Sequence, residues 1–179
     1  MCGLLVGLIL LLHGHIVAAA PVASLVQAAG LSPSTPPRLA VDFQLLDHEG
    51  YTRRLRAQRG QVVFLNFWAT WCVPCRHEMP EMEKLFQSFR QQPFVMWAVA
   101  MQETREQVVP FFEELELHFP ALLDLEGEVS ASYTVRGLPT TYLIDCVGNI
   151  VGHAIGPRPW NNKAVRTLLT ALLEDTHCR

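Results

Sequence analysis

Hydrophobic positions along this chain fall into three kinds of run, and each predicts a different element. The first kind is unbroken. Residues 2–31 contain no Asp, Glu, Lys or Arg, residues 4–12 are apolar, and residues 16–29 resume the run after His13-Gly14-His15. An apolar stretch followed by Ala18-Ala19-Ala20 is the pattern of a secretory signal, and uncleaved it is long enough to span a bilayer core of about 30 Å. Residues 1–31 are therefore read as a signal peptide or a retained membrane anchor. Ser32-Pro33-Ser34-Thr35-Pro36-Pro37 follows. Three prolines cannot continue a helix or a central strand, so residues 32–38 are read as a linker and residues 39–179 as the domain.

The second kind of run is short, β-branched and aromatic. Residues 61–68 and 94–101 are almost wholly apolar, as strands buried on both faces are. Residues 41–46 and 51–55 flank Asp47-His48-Glu49-Gly50 as a hairpin, and residues 140–146 and 150–155 flank Val147-Gly148-Asn149 as another. The third kind recurs at three- and four-residue steps. Met79, Met82, Leu85, Phe86 and Phe89 predict a helix over 74–90. Val108, Phe111, Phe112 and Leu115 predict one over 104–117, with Pro110 in its first turns or at a kink. Val165, Leu168, Leu169 and Leu172 predict a closing helix over 161–174. A short strand at 121–123 and a short helix at 126–133 complete the order β-β-β-α-β-α-β-α-β-β-α. This is an α/β domain with a parallel pair from its strand–helix–strand units and antiparallel strands from its hairpins.

Composition adds little to that frame. Half of the 179 residues are hydrophobic, enough for a sizeable core, and the formal net charge is -3. With no long basic run, nucleic acid is excluded as a partner. Arg53, Arg54, Arg56 and Arg59 form a local cluster, readable as a solvated edge or as a docking patch for an acidic partner.

Cysteine changes the picture. Five cysteines are too few for a disulfide scaffold at this length. Two of them, in Trp71-Cys72-Val73-Pro74-Cys75, lie where a buried strand passes into a helix. The first turn of a helix carries unpaired N–H groups and a partial positive charge, which stabilise a thiolate. Cys72 is then expected to be an exposed nucleophile, and Cys75, one turn on, a buried resolving thiol. Pro74 fits because early helix positions need no N–H donor. Half of a zinc site and a structural disulfide remain as other uses of C-x-x-C. No second C-x-x-C exists, and the flanking strand, Trp71 and Pro74 favour redox use.

Around this pair, Glu78 shares a helical face with Cys75. It is either a proton shuttle for that thiol or an exposed first-turn Glu favouring the helix dipole. Asn66 on the buried strand is uncharged and cannot be an acid or base. Trp68 and Trp71 either line the groove or pack, with packing favoured for Trp68. Pro139, in Gly137-Leu138-Pro139-Thr140, is either an ordinary trans turn proline or a cis proline holding extended backbone beside Cys72.

The run from Phe67 to Pro80 resembles the signature of the TlpA/ResA-like branch of the thioredoxin superfamily, within the AhpC/TSA-Redoxin group. Residues 137–145 with Gly148 resemble that branch's second signature. The resemblance spans about residues 39–173. It implies a thioredoxin-like fold, a central mixed sheet flanked by helices, with an N-terminal β-hairpin extension. It implies a thiol–disulfide oxidoreductase, a periplasmic or membrane-tethered reductant of protein disulfides in apocytochrome c or copper-site assembly. A membrane thiol reductant would supply its electrons, and no cofactor or metal is implied. In this pattern Cys72 is the attacking thiol, Cys75 the resolving thiol, Glu78 the active-site acid and Pro139 the cis-proline. Trp71, Pro74, Leu138 and Pro139 would meet substrate. Asn66 stands where cytosolic thioredoxins keep a buried Asp.

Three departures stand out. Thr140 replaces the Glu of the dedicated cytochrome c maturation pattern. Cys146 sits where many relatives have a turn residue, and Cys178 is in the tail, so the two either bridge each other or stay free. Two other functions compete with disulfide reduction. A peroxiredoxin-like peroxide reductase would need a Pro-rich loop with a Thr or Ser before a lone Cys, which is missing. A metal-carrier module would use the C-x-x-C with a histidine such as His77 or His153.

Overall fold

A computed structural model describes residues 21–175. The elements run α1 (Val22–Ala28), β1 (Ser32–Leu39), β2 (Gln44–Leu46), β3 (Thr52–Arg54), a 3-10 turn, β4 (Val62–Trp68) and α2 (Val73–Phe89). They continue through β5 (Phe94–Met101), α3 (Arg105–Glu114), β6 (Ala121–Asp124), α4 (Glu128–Ser132), β7 (Thr140–Ile144), β8 (Asn149–Ile155) and α5 (Lys163–Leu173).

Six strands form one sheet in the order β1-β8-β7-β4-β5-β6. β5 runs parallel to β4 and to β6, whereas β7 is antiparallel to β4 and to β8. This is the mixed sheet of a thioredoxin-like fold. β2 and β3 form a separate hairpin. Every residue of β4 is buried, because alternate side chains enter two cores. Phe64 and Trp68 join Met79, Met82 and Leu85 of α2 with Leu168 and Leu169 of α5. Val63, Leu65 and Phe67 face Phe43, Leu55 and Tyr133, beside the hairpin and α4.

The N-terminal reading needs correction. Residues 32–38 are not a linker: they are part of β1, paired antiparallel with β8 through Ser32–His153 and Arg38–Ile150, with a register shift between Pro33 and Arg38. Proline forbids a central strand but not an edge one, where half of the N–H groups need no ladder partner. Residues 22–31 are not spare sequence either. Val26, Ala29 and Leu31 are buried in the core shared with α5. α1 lies so close to β8 that a Cβ at Gly152 would meet Val26 Cγ1 at 2.5 Å. The signal or anchor expected over 1–31 therefore reduces to residues 1–20, which lie outside the described residues. Among the described residues, no helix is long and apolar enough to cross a membrane.

The predicted helices are present, α2 shifted by one residue and α3, α4 and α5 with shorter ends. α3 starts one residue after Thr104, whose N–H donates to Gln107 Oε1 at 2.9 Å, and Pro110 lies inside the helix, in its second turn.

Candidate active site

The turn from β4 into α2 carries the cysteine pair. Cys72 is the N-cap of α2. Its Sγ accepts the Cys75 N–H at 3.2 Å, and its carbonyl accepts the Arg76 N–H at 3.1 Å. Cys72 and Cys75 are joined by a disulfide of 2.02 Å, with Cα atoms 5.3 Å apart. The helix start thus aims one of its unpaired N–H groups, that of Cys75, at the Cys72 sulfur. Pro74 occupies the first turn, where its missing N–H costs nothing.

Exposure departs from expectation. Cys72 keeps 4% of its surface and Cys75 none. The solvent-facing positions are the neighbours, Trp71 at 72% and Val73 at 64%. Cys72 nonetheless lines a groove of about 730 Å3 together with Trp71, Val73, Pro74, Arg136 and Leu138. The far wall of that groove is the loop before β7. Leu138–Pro139 in this loop is a cis peptide bond. Thr140 Oγ1 donates to the Gly137 carbonyl at 2.7 Å, fixing the loop's approach to the strand.

Behind the disulfide lies a polar cluster. Glu78 is 3% exposed and accepts three hydrogen bonds. Asn66 Nδ2 donates to Oε1 at 2.9 Å, Trp160 Nε1 to Oε2 at 2.8 Å, and the Arg158 N–H to Oε2 at 3.1 Å. Burial pushes the Glu78 carboxyl up to about 7, although all three donors and the Arg158 charge pull it down. Asn66 Nδ2 also donates to Thr141 Oγ1 at 3.0 Å, tying β4 to β7 beside Pro139. Glu78 is thus no exposed first-turn residue. Its partners from the far end of the chain, Arg158 and Trp160, are missed by sequence reasoning. The available signal was a lone Trp after Pro157-Arg158-Pro159, just before the closing helix.

A second buried carboxylate was also missed. Glu103, just past β5, accepts the Thr70 N–H at 2.8 Å and the Thr70 hydroxyl. It pins the 69–71 turn that delivers Cys72. Trp68 packs against Phe111 and Phe112, as read from the sequence.

The remaining candidates lie apart from this constellation. His77 is exposed, and His153 stacks on Tyr142 in β7. Among the described residues, no group of three or more His, Cys, Asp or Glu is placed to hold a metal ion. Within the Arg cluster, Arg53 pairs with Asp47 at 2.7 Å and Arg54 with Asp42 at 3.2 Å. Cys146 is buried and disulfide-bonded, so it is not a free thiol; Cys2 and Cys178 lie outside the described residues.

Residues 37–153 match the AhpC/TSA family. The thiol-disulfide oxidoreductase ResA of Geobacillus kaustophilus is 43% identical over 111 residues, 62% of this chain and 64% of that protein. The chain therefore spans 64% of the length of that relative. The ResA protein of Bacillus cereus is 38% identical over 117 residues, 65% of this chain and 68% of that protein. A crystal structure from Chlorobium tepidum, assigned as the thiol:disulfide interchange protein DsbE, is 31% identical. It covers 76% of this chain and 96% of its own, with a TM-score of 0.70.

Proposed function

The chain belongs to the AhpC/TSA family, and from that premise we propose that it is a thiol–disulfide oxidoreductase that reduces protein disulfides with the Cys72–Cys75 dithiol. One observation carries the reading: two sulfurs in a single short ring at a helix start, one opening onto a groove and the other closed off. The ResA names of the relatives and the DsbE name of the structural neighbour agree with it.

The chemistry balances as two exchanges. In the reduced protein, the start of α2 holds Cys72 as a thiolate. Cys72 Sγ attacks one sulfur of the substrate disulfide. The substrate S–S bond breaks, and its departing thiolate takes a proton from solvent. The mixed disulfide places substrate against Trp71, Pro74, Leu138 and Pro139. Cys75 then gives its proton to the Glu78 carboxylate and attacks Cys72 Sγ. The second substrate sulfur leaves and takes that proton from Glu78 to become a thiol, and the protein is left in its disulfide form. Two electrons and two protons have passed to the substrate. A dithiol reductant at the membrane restores the pair. Glu78 suits its part because its burial brings proton affinity near neutral pH.

The uncharged residues before Pro21 support an exported protein, in the periplasm or tethered at the periplasmic face of the inner membrane. Its substrates would be exported proteins with reducible disulfides, including apocytochrome c and copper-site assembly proteins. Thr140 weighs against dedication to cytochrome c.

The test is insulin reduction by the purified full chain with a small dithiol as donor. The wild type is expected to accelerate it, Cys72→Ser to abolish it, and Cys75→Ser to accumulate a mixed disulfide. Full turnover by Cys72→Ser would end the proposal.

A further inference from the structure

The groove beside Cys72 carries one feature that disulfide exchange by itself does not require. Its walls are largely apolar, from Trp71, Val73, Met101, Val135 and Leu138, and Arg136 is the one charged side chain among its lining residues. Arg136 is exposed and has no ion pair or side-chain hydrogen bond among the described residues. Several other arginines of this chain, though not all, are committed to partners. Arg53 pairs with Asp47, Arg54 with Asp42 and Arg76 with Glu114, while Arg158 and Arg166 hydrogen-bond within their own neighbourhoods.

The backbone that presents Arg136 is fixed. Thr134 adopts the left-handed conformation, with φ of 57°, which few non-glycine residues do. The Thr134 N–H donates to the Ala131 carbonyl at 2.9 Å and the Val135 N–H to the Ser130 carbonyl at 3.0 Å. The next two residues are Gly137 and Leu138, facing the disulfide across the groove. A guanidinium is a planar fork of donors matched to a carboxylate, and beside apolar walls it is less screened than in open water. No carboxylate lines the groove; Glu126 and Glu128 line a separate depression over β2.

We propose that Arg136 makes this groove selective for polypeptide disulfides that carry an Asp or Glu side chain close to the reacting cysteine. The inference rests on the disulfide-reductase reading above. The apolar walls fit the flanking residues of a peptide, rather than glutathione disulfide, whose carboxylates would be the other source of the same charge.

The experiment starts from the reduced full chain and follows the rate at which its dithiol is oxidised, by thiol trapping. The oxidants are three disulfide-bridged peptides, identical except for Glu, Gln or Lys next to cysteine, and glutathione disulfide. At low salt the wild type is expected to react in the order Glu, Gln, Lys, with about tenfold between the extremes, and high salt is expected to compress the range. Arg136→Gln is expected to bring the three peptides within about twofold, and Arg136→Glu to invert the order. A flat wild-type series, or an order kept in Arg136→Gln, overturns the selectivity. Equal rates for glutathione disulfide and the Glu peptide overturn the peptide assignment. If no peptide oxidises any variant faster than it oxidises a small free dithiol, the reductase reading itself fails.

Discussion

On one side of the Cys72–Cys75 bond the surroundings are open and mostly apolar; on the other they are closed and polar. The open side offers Trp71, Val73, Leu138 and a single charge on Arg136. The closed side offers a buried carboxylate with three donors on it, from Asn66, Arg158 and Trp160. The two sulfurs differ accordingly. Cys72 lines the groove, whereas Cys75 has no exposed surface. Under the proposed function this divides the labour. The open side decides which disulfide enters, and the closed side decides when the second thiol gives up its proton.

The sharpest way to break that division is Glu78→Gln, which keeps the shape of the closed side and removes its titration. Loss of a positioned proton acceptor is expected to slow resolution of the mixed disulfide by about 10²-fold, read by quenched single-turnover kinetics. In the wild type this rate should rise with pH through an inflection near 7, because Glu78 accepts the Cys75 proton only when ionised. The Gln variant should lack that inflection. Stability moves the other way. A carboxyl whose folded-state proton affinity is raised favours the fold fully below its unfolded value of 4.5, and loses that contribution as pH climbs through about 7. The oxidised wild type should therefore lose on the order of 3 kcal/mol relative to Glu78→Gln between pH 4.5 and 8, measured by denaturant unfolding.

A smaller change sharpens the same comparison. Trp160→Phe removes the 2.8 Å donor to Glu78 Oε2 while keeping most of the ring that packs on Phe64. With one donor gone, ionised Glu78 is less favoured, and the kinetic inflection should move to higher pH by on the order of one pH unit. A merely structural Trp160 would lower stability and leave the inflection where it was. The smallest effect is expected on the open side. Trp71→Ala should raise KM for a peptide disulfide about three- to tenfold with kcat nearly unchanged, because an exposed aromatic wall contributes binding rather than proton transfer. A fall in kcat equal to that of Glu78→Gln would erase the division between the two sides.

Much of this arrangement is legible in the chain itself, where one local rule suffices. The all-apolar run of β4, the three- and four-residue steps of α2 and the placement of Cys72 between them are short-range patterns. They predicted a strand, a helix and a cysteine pair at their junction. The edge strand β1 was not legible, because three prolines in eight residues argue against a strand unless one knows that only one side is paired. Nor were Trp160 and Glu103, whose partners lie 82 and 33 residues away.

The sequence alone determined the order of the central elements, the helix N-terminus beneath Cys72 and the three-residue spacing that lets two sulfurs meet. These follow from backbone periodicity and from the reach of neighbouring side chains. Only the tertiary structure decided that Cys72 is itself nearly buried at the edge of a groove, that Glu78 is buried and held by Trp160, and that residues 22–38 belong to the domain. Burial, and with it the proton affinity of a carboxylate, depends on what distant segments lay over it, and no local pattern records that.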